Sequence, residues 1–203
     1  MEVLAPVGTK EGFQAVLKQK PDVIYFGAGD MNARSSEAQL PLEELPQLVA
    51  EARKQGVKIY FTLNILVKDS EFARALEIAS FARQAGVAAF IVQDKGLMRL
   101  LYEHFPDIVL HASTQCSVGT REQIRELLAL HVSRVVLARE LSLEEIRDLS
   151  GYAHALGIEV EVFTHGATCM SVSGQCHMSF CIGGRSANRG CCAQPCRKSY
   201  SLL

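Results

Sequence analysis

Short apolar runs recur along this chain, and most are followed by a segment with helical periodicity. The runs are rich in β-branched and aromatic residues and almost continuously apolar, which is typical of strands covered on both faces of a parallel sheet. Seven runs are predicted as strands, with 199–203 as a candidate eighth; the seven are 2–6, 22–27, 58–64, 89–94, 108–113, 133–138 and 159–165. This alternation indicates repeated βαβ units.

The helical segments carry boundary signals of their own. Residues 70–85 place Phe72, Leu76 and Ala79 on one stripe, and Gly86 follows where a left-handed cap is expected. Two later helices begin at capping boxes, which satisfy the free N–H groups of a first turn. These boxes pair Thr120 with Gln123 and Ser142 with Glu145.

Seven or eight strands in this arrangement fit a (β/α)8-type barrel better than an open doubly wound sheet. The turn after the first run, VLAPVGTKEG, contains Gly8 and Gly12 but lacks the G-x-G-x-x-G of dinucleotide-binding folds. The chain has 203 residues, close to the lower limit for such a barrel. We therefore expect an α/β fold with a small or incomplete (β/α)8-type barrel as one domain.

The carboxyl ends of the strands are where barrels of this type build their active sites. Polar residues follow nearly every apolar run here, although a strand that simply ends in a polar loop gives the same pattern. These residues include Asn64, Gln93, Asp94, Ser113, Gln115, Arg139, Glu140 and His165. Their position makes this face the expected functional surface, and a cysteine-rich segment begins at the same face.

Six of the seven cysteines lie between Cys169 and Cys196. The N-terminus has no signal-peptide pattern and no run is long enough to span a membrane, so we expect a cytoplasmic protein whose thiols bind metal or do chemistry. Cys192 and Cys196 form one tight pair, whereas Cys169 and Cys176 are too far apart for a zinc knuckle. The spacing favours an iron–sulfur cluster, with zinc and reactive or incidental thiols as alternatives.

Charge is nearly balanced over the whole chain, with a formal net charge of −1. This balance gives no global attraction to nucleic acid or membranes. Residues 162–203 differ, because they lack Asp and Glu and contain Arg185, Arg189, Arg197 and Lys198. They predict a basic patch on a neutral body, although a solvated loop would have a similar composition.

The run HGATCMSVSGQC, followed by GRSANRGCCAQPCR, resembles the signature of peptidase family U32. LAPVGTKEGFQAV, YFGAGDMNAR and GVKIYFTLNILVKDSE resemble the opening segments of that family, so the resemblance covers nearly the whole chain. It implies a barrel-like core and a [4Fe–4S] cluster held by four cysteines. Family members include enzymes that hydroxylate a cytidine of ribosomal RNA or a uridine of transfer RNA, and others that hydroxylate the ubiquinone ring without oxygen.

The resemblance also implies a ligand set and a domain plan. The family frame C-x6-C-x15-C-x3-C gives the cluster ligands as Cys169, Cys176, Cys192 and Cys196. The additional Cys181 and Cys191 leave open whether Cys191 or Cys192 is the ligand, and the family register favours Cys192. Members are generally longer, so we expect residues 1–203 to be one barrel-like domain from the N-terminal part of a longer protein. Residues 165–197 would form its cluster-binding segment.

The first functional hypothesis is iron–sulfur-dependent hydroxylation of an RNA base, for which the resemblance implies prephenate as hydroxyl donor. Arg185, Arg189 and Arg197 would bind RNA phosphates, although each could equally anchor the loop. Asn32, Arg34 and Arg139 would clamp the anionic donor. Glu140 is the candidate carboxylate for acid–base catalysis, and His165 is a candidate proton donor or a packed structural histidine.

Three alternatives remain open from the sequence. A peptidase would use His165 with Cys169 or Ser173, but no pattern supplies the third group that orients a catalytic base. Hydroxylation of a quinone ring would keep the cluster and change the substrate. A cluster-bearing module without its own catalysis would leave the chemistry to another part of the protein.

Overall fold

The computed structural model describes residues 1–33, 40–166 and 169–201. Within these ranges, seven parallel strands form a single sheet in the order β1 to β7. The strands are β1 Leu4–Pro6, β2 Val23–Phe26, β3 Lys58–Leu63, β4 Ala89–Val92, β5 Leu110–Ala112, β6 Val132–Val136 and β7 Glu159–Glu161. The strictly sequential order confirms a barrel-type α/β fold, because a doubly wound sheet reverses its strand order at a switch point.

Helices connect successive strands and cover the outer face of the sheet. They are α1 Lys10–Leu17, α2 Leu45–Lys54, α3 Phe72–Ala85, α4 Lys95–His104, α5 Arg121–Leu128, α6 Leu143–Ala155 and, after the last strand, α7 Met178–Gly183. In the described part of the chain, no helix has the length and apolar character needed to cross a membrane. The predicted eighth strand is wrong for residues 199–201, which are irregular. Residues 202 and 203 lie outside the described ranges.

The predicted helix boundaries are confirmed. Gly86 ends α3 in the left-handed region with φ of 88°, and capping boxes at Thr120 and Ser142 begin α5 and α6. The predicted apolar stripe of α3 is shifted, because its buried residues are Ala75, Ile78, Ala79 and Ala82. Three of these are alanines, whose small side chains let the helix lie close to the sheet, while Phe72 and Leu76 pack half-buried beside it.

Side chains alternate between two cores along each strand. On β3, Ile59 and Phe61 enter the main core between sheet and helices, whereas Tyr60 enters a small core on the inner face of the sheet. The main core contains a row of edge-to-face phenylalanine pairs with ring centroids 6.1 to 6.5 Å apart: Phe13–Phe26, Phe26–Phe61 and Phe61–Phe90. The outer packing is therefore continuous from α1 to β4.

A contact between the first and sixth strands shows that the sheet is curled. Arg134 on β6 donates from Nη2 to Oε2 of Glu2, just before β1, at 2.7 Å. In a flat sheet, strands spaced about 4.8 Å apart would put β1 and β6 about 24 Å from each other. That gap exceeds the combined reach of an arginine and a glutamate. The seven strands therefore form an incomplete barrel with Arg134 across its interior.

Arg134 binds several groups at the amino ends of the strands. Its Nε donates to Glu159 at 2.8 Å, and its guanidinium lies 5.3 Å from the centre of the Tyr60 ring. Its side chain is 9% exposed, so this charge depends on its partners for solvation. A hydrogen bond from Lys58, together with Arg134, lowers the pKa of Glu2 to about 2.

Glu161 also lies near the guanidinium of Arg134, but its carboxylate is poorly hydrogen-bonded. Its side chain is 15% exposed, and its Oε2 lies 3.7 Å from Nη1 of Arg134. Its Oε2 is buried and has no hydrogen-bond partner among the described residues. Burial raises the pKa of Glu161 to about 7, and Arg134 offsets only part of this effect. Glu161 is therefore the carboxyl group of this cluster that is partly protonated near neutral pH.

Replacing Arg134 by methionine should destabilise the protein strongly, because Glu2 and Glu159 would lose their shared cation. Breaking a buried ion pair costs about 3 kcal/mol or more, and urea unfolding would measure the loss. Arg99→Met removes an exposed pair with Glu103 on α4 and should change stability little. Equal effects of the two substitutions would contradict the role given to Arg134.

Replacing Glu161 by glutamine should make the protein more stable than the wild type at alkaline pH. The folded pKa lies above the unfolded one, so the wild type loses stability as pH rises from about 4.5 to about 7. At about 1.4 kcal/mol per pKa unit, the advantage of Glu161→Gln should reach about 3.5 kcal/mol well above pH 7. Urea unfolding across this range measures it, with Glu144→Gln, an exposed site on α6, controlling for charge. A pH-independent difference would contradict the assignment.

Candidate functional site

The cysteine-rich segment, residues 169–201, is built from four short helices joined by tight turns. Besides α7, these are the 3-10 turns Val172–Gly174, Ala187–Arg189 and Pro195–Arg197. All seven cysteines of the chain are free thiols, and those at 169, 181, 191, 192 and 196 are exposed. The segment therefore presents reduced thiols to solvent rather than burying them in a core.

Ser173 fixes the start of this segment to the end of β6. It is fully buried and holds a left-handed φ of 43°, a strained conformation for a residue other than glycine. Its backbone N–H donates to Oε1 of Glu140 at 2.6 Å, and its hydroxyl donates to Oε2 at 2.7 Å. Both carboxylate oxygens of Glu140 are thus used in one local contact.

These two hydrogen bonds also determine the charge of Glu140. Burial tends to raise the pKa of Glu140, but the hydrogen bonds from Ser173 outweigh it and hold the pKa below its usual value. A carboxylate held in this way suits an anchor and disfavours a general acid, which needs a proton near neutral pH. The predicted acid–base role of Glu140 stays a prediction.

Arg189 anchors the far side of the segment to the loop after β3. Its guanidinium binds both carboxylate oxygens of Glu71, at 3.0 and 2.6 Å, and also donates to the carbonyl of Leu66 at 2.6 Å. The Arg189 hydrogen bonds lower the pKa of Glu71. Bidentate geometry of this kind is strong and directional. Arg189 therefore acts as an anchor in this structure, the alternative to the phosphate-binding role predicted for it.

A third contact joins the segment to the loop after β5. The side-chain amide of Gln175 donates to the carbonyl of Gln115, and the side-chain amide of Gln115 donates to the carbonyl of Asn64 at 2.9 Å. Asn188 accepts from the backbone N–H of Cys176 at 3.2 Å and donates to Oε1 of Gln175 at 3.4 Å. A network of amides therefore surrounds the second predicted ligand, Cys176.

Cys169 lies beside a cation. Its sulfur is 3.2 Å from the hydroxyl of Ser171. Burial tends to raise the pKa of Cys169, but hydrogen bonds from Ser171 and the guanidinium of Arg139 lower it below its ordinary value. The Nε of Arg139 is buried without a hydrogen-bond partner in the described part of the chain. A thiol favoured as thiolate is prepared for metal binding or nucleophilic chemistry.

The other predicted site residues are more dispersed. Asn32 is buried against Gly27, where a side chain on the glycine would come within 2.3 Å of Asn32 Cγ. Arg34 lies outside the described residues. Arg185 is exposed and donates to the carbonyl of Cys191 at 3.1 Å, while His165 and Arg197 are exposed as well. The donor-binding role of Asn32 and the roles of these exposed residues stay predictions.

The described positions of the thiols do not form a metal site, although their chemistry suits one. In the ranges that the structure describes, no three His, Cys, Asp or Glu side chains are placed to hold a metal ion. The donor set itself fits an iron–sulfur cluster, since six free thiols lie within one short segment and most are exposed. The four predicted ligands are therefore suitable donors, but their side chains are not clustered in this structure.

A cavity of about 390 Å³ opens between the strand ends and the cysteine-rich segment. It is lined by Leu66, Gln93, Asp94, Lys95, Gly96, Gln115, Cys116 and Gln175. The sequence marked Gln93 and Gln115 as polar residues at strand ends but assigned them no role. Nothing in the sequence pointed to Gln175, because its place in the cavity depends on how the segment folds back.

A second cavity, of about 450 Å³, lies at the opposite end of the strands. Its walls include the Arg134 cluster with Glu2, Lys58, Tyr60 and Glu159. Although it is larger, it is lined by residues at the amino ends of the strands, where barrels place residues that serve stability. The carboxyl-end cavity is therefore the better candidate for chemistry.

Comparison with curated proteins identifies relatives over the full length of this chain. It is 39% identical over 202 residues to the 23S rRNA 5-hydroxycytidine C2501 synthase of Escherichia coli, covering 100% of this chain and 30% of that protein. It is 34% identical to a collagenase of Porphyromonas gingivalis, covering 99% and 50%. It is 31% identical to tRNA hydroxylation protein P of E. coli, covering 99% and 44%. The chain thus spans half or less of each relative.

A family model and a solved structure agree with this grouping. The structure of the U32 peptidase Mk0906 superposes with a TM-score of 0.64 at 15% identity, over 80% of this chain and 68% of that one, which supports the fold. The model of peptidase family U32 matches residues 8–203. The match covers nearly the whole chain, and the chain belongs to peptidase family U32.

Proposed function

We propose that the protein containing this chain hydroxylates a base of ribosomal or transfer RNA. The observation that carries the proposal is the 39% identity, along the whole chain, to an enzyme named for making 5-hydroxycytidine in ribosomal RNA. A relative named for tRNA hydroxylation supports the same chemistry on a different RNA. Because the chain spans 30% to 50% of these relatives, the activity is ascribed to the complete protein, with this barrel as one part.

The cysteine-rich segment would cover the carboxyl ends of the strands and form the active-site side of the barrel. Three contacts support this placement. Ser173 binds Glu140 after β6, Gln175 binds Gln115 after β5, and Arg189 binds Glu71 after β3. Anchors spread around the rim would hold the thiols beside the cavity at the strand ends.

Cys169, Cys176, Cys192 and Cys196 would hold a [4Fe–4S] cluster, with zinc as the lesser alternative. When bound through four cysteines, the cluster would supply redox chemistry. The lowered pKa of Cys169 supports a role as thiolate ligand. Since these thiols are not gathered in advance, binding would have to order the segment, as metal binding commonly does in small sites. The anchors at Glu140 and Arg189 would limit how far it must move.

The remaining side chains would hold the substrates. Exposed Arg185, Arg197 and Lys198 would bind RNA phosphates, while the target base leaves its stack to reach the barrel. Arg139, with its buried Nε unpaired among the described residues, would bind a carboxylate of the hydroxyl donor, for which prephenate is proposed. With such an RNA substrate, the protein would act in the cytoplasm.

Peptide hydrolysis is the second candidate, because one relative is named a collagenase. A cysteine or serine nucleophile needs a base within hydrogen-bond reach. Among the described residues, the side chain of Cys169 contacts Ser171 and Arg139, and the hydroxyl of Ser173 is bound to Glu140, so neither is paired with a histidine. Within the described ranges, these contacts therefore do not support a protease site.

Anaerobically purified protein should be brown and contain iron and sulfide, and Cys169→Ala should lose most of both. Visible absorbance with iron and sulfide analysis measures the change. Cys116→Ala is the matched control, because burial raises the pKa of this thiol to about 12 and the residue is outside the predicted ligand set. Colourless protein that carries zinc, or equal cluster loss in both variants, would contradict the ligand assignment.

Deleting the gene should remove one hydroxylated nucleoside from ribosomal or transfer RNA, leaving the parent base lighter by one oxygen atom. Mass spectrometry of nucleosides from both RNA pools measures this, and the wild-type gene should restore the product. Unchanged RNA together with altered quinones would instead support ring hydroxylation of a quinone. Peptide cleavage by cluster-free protein would support hydrolysis.

A further inference from the structure

We propose that Gln93, at the carboxyl end of β4, recognises the hydrogen-bonding edge of the pyrimidine base that is modified. The inference rests on the proposed function and names the part of the cavity that would hold the base. Its basis is a buried amide whose hydrogen bonding is incomplete, in a cavity of suitable size beside the cysteine-rich segment.

The side-chain amide of Gln93 is buried, and its hydrogen bonding is incomplete among the described residues. The residue is 5% exposed, and its Oε1 has no hydrogen-bond partner among the described residues. Its Nε2 reaches the carbonyl of Gln115 at 3.5 Å, the outer limit of a hydrogen bond. Folding gains little from such a group, since an unmet buried acceptor costs free energy. A group of this kind is expected where a ligand completes the bonding.

Gln93 lies on the inner side of the sheet and lines the cavity at the strand ends. Ala89 and Ile91 belong to the inner core, and alternation along the strand carries Gln93 to the same inner side. The cavity that Gln93 lines has a volume of about 390 Å³, within the range of small-ligand sites. Leu66 adds an apolar surface, and Gly96 adds no side chain to the space. A flat ring with a polar edge fits these walls.

A carboxamide matches the edge of a pyrimidine. It presents an acceptor and a donor side by side, as does the Watson–Crick edge of cytosine, with its amino group and N3. Uracil has the donor and the acceptor in exchanged positions, and the carboxamide would match them after rotating by 180° about its terminal bond. The weak bond from Gln93 to Gln115 could be exchanged for a stronger one to the base. Gln93 would then hold the ring in a fixed orientation.

Gln175 connects this cavity to the cysteines. It lines the cavity, its amide is bound to the carbonyl of Gln115, and it directly precedes Cys176. A base held by Gln93 would therefore lie against the segment that carries the proposed cluster ligands. The base would therefore be bound and modified on the side of the cavity formed by the cysteine-rich segment.

The test uses the full-length gene in the deletion strain. Gln93→Met keeps the side-chain volume and removes both hydrogen-bonding atoms, so the hydroxylated nucleoside should fall by at least about tenfold relative to wild type. Gln84→Met, the same change on the exposed face of α3, should restore it fully. Because Gln93 is poorly satisfied, the melting temperature of Gln93→Met should be equal to or above that of wild type. A purely structural glutamine would lower it.

A second variant covers failure of the first to accumulate. Gln93→Asn keeps the amide and draws it back by one methylene, so it should also lose most of the product while folding normally. Full restoration of the nucleoside by either Gln93 variant would overturn the inference and leave RNA hydroxylation intact, as would a lower melting temperature in both. If deletion of the gene changes no RNA nucleoside, the proposed function fails and takes this inference with it.

Discussion

The ion pairing of Arg134 is the interaction on which the shape of this molecule depends. A parallel sheet of seven short strands has two free edges, and its inner face must be filled or curled in. Arg134 crosses that face from β6 to Glu2 at the start of the chain, and Glu159 and Tyr60 complete its surroundings. This contact brings the start of the first strand and the sixth strand together across the inner face, so it sets the curvature of the sheet.

At the carboxyl ends of the strands, the cysteine-rich segment is held by hydrogen bonds to the loops that follow the strands. Glu140, Gln115 and Glu71 follow β6, β5 and β3, and each binds one residue of the cysteine-rich segment. Glu140 is also the predicted acid–base carboxylate, and Arg189 the predicted phosphate ligand or loop anchor. Their contacts in this structure are those of anchors, and the catalytic and phosphate-binding roles stay predictions. The strained backbone of Ser173 lies at one of these anchors, and the buried acceptor of Gln93 that lacks a partner among the described residues lines the cavity at the strand ends.

The strands, helix starts and fold type followed from the sequence because they depend on local patterns. The capping boxes at Thr120 and Ser142 are short-range interactions, and apolar runs report burial directly. The Arg134 contact could not be predicted, because it joins residues 132 positions apart. The role of Arg189 was left open for the same reason, since its partner Glu71 belongs to a distant helix start. Family resemblance predicts the cysteines as ligands, but neither their spacing nor the fold indicates how they would come together.

The central claim is that four thiols of this segment hold an iron–sulfur cluster beside the strand ends of the incomplete barrel. Anomalous diffraction at the iron absorption edge, from crystals of anaerobically purified full-length protein, tests it most directly. We expect one compact iron peak within bonding distance of the sulfurs of Cys169, Cys176, Cys192 and Cys196, next to the cavity that Gln93 lines. An iron peak bound elsewhere, or a zinc signal at these sulfurs, would contradict it.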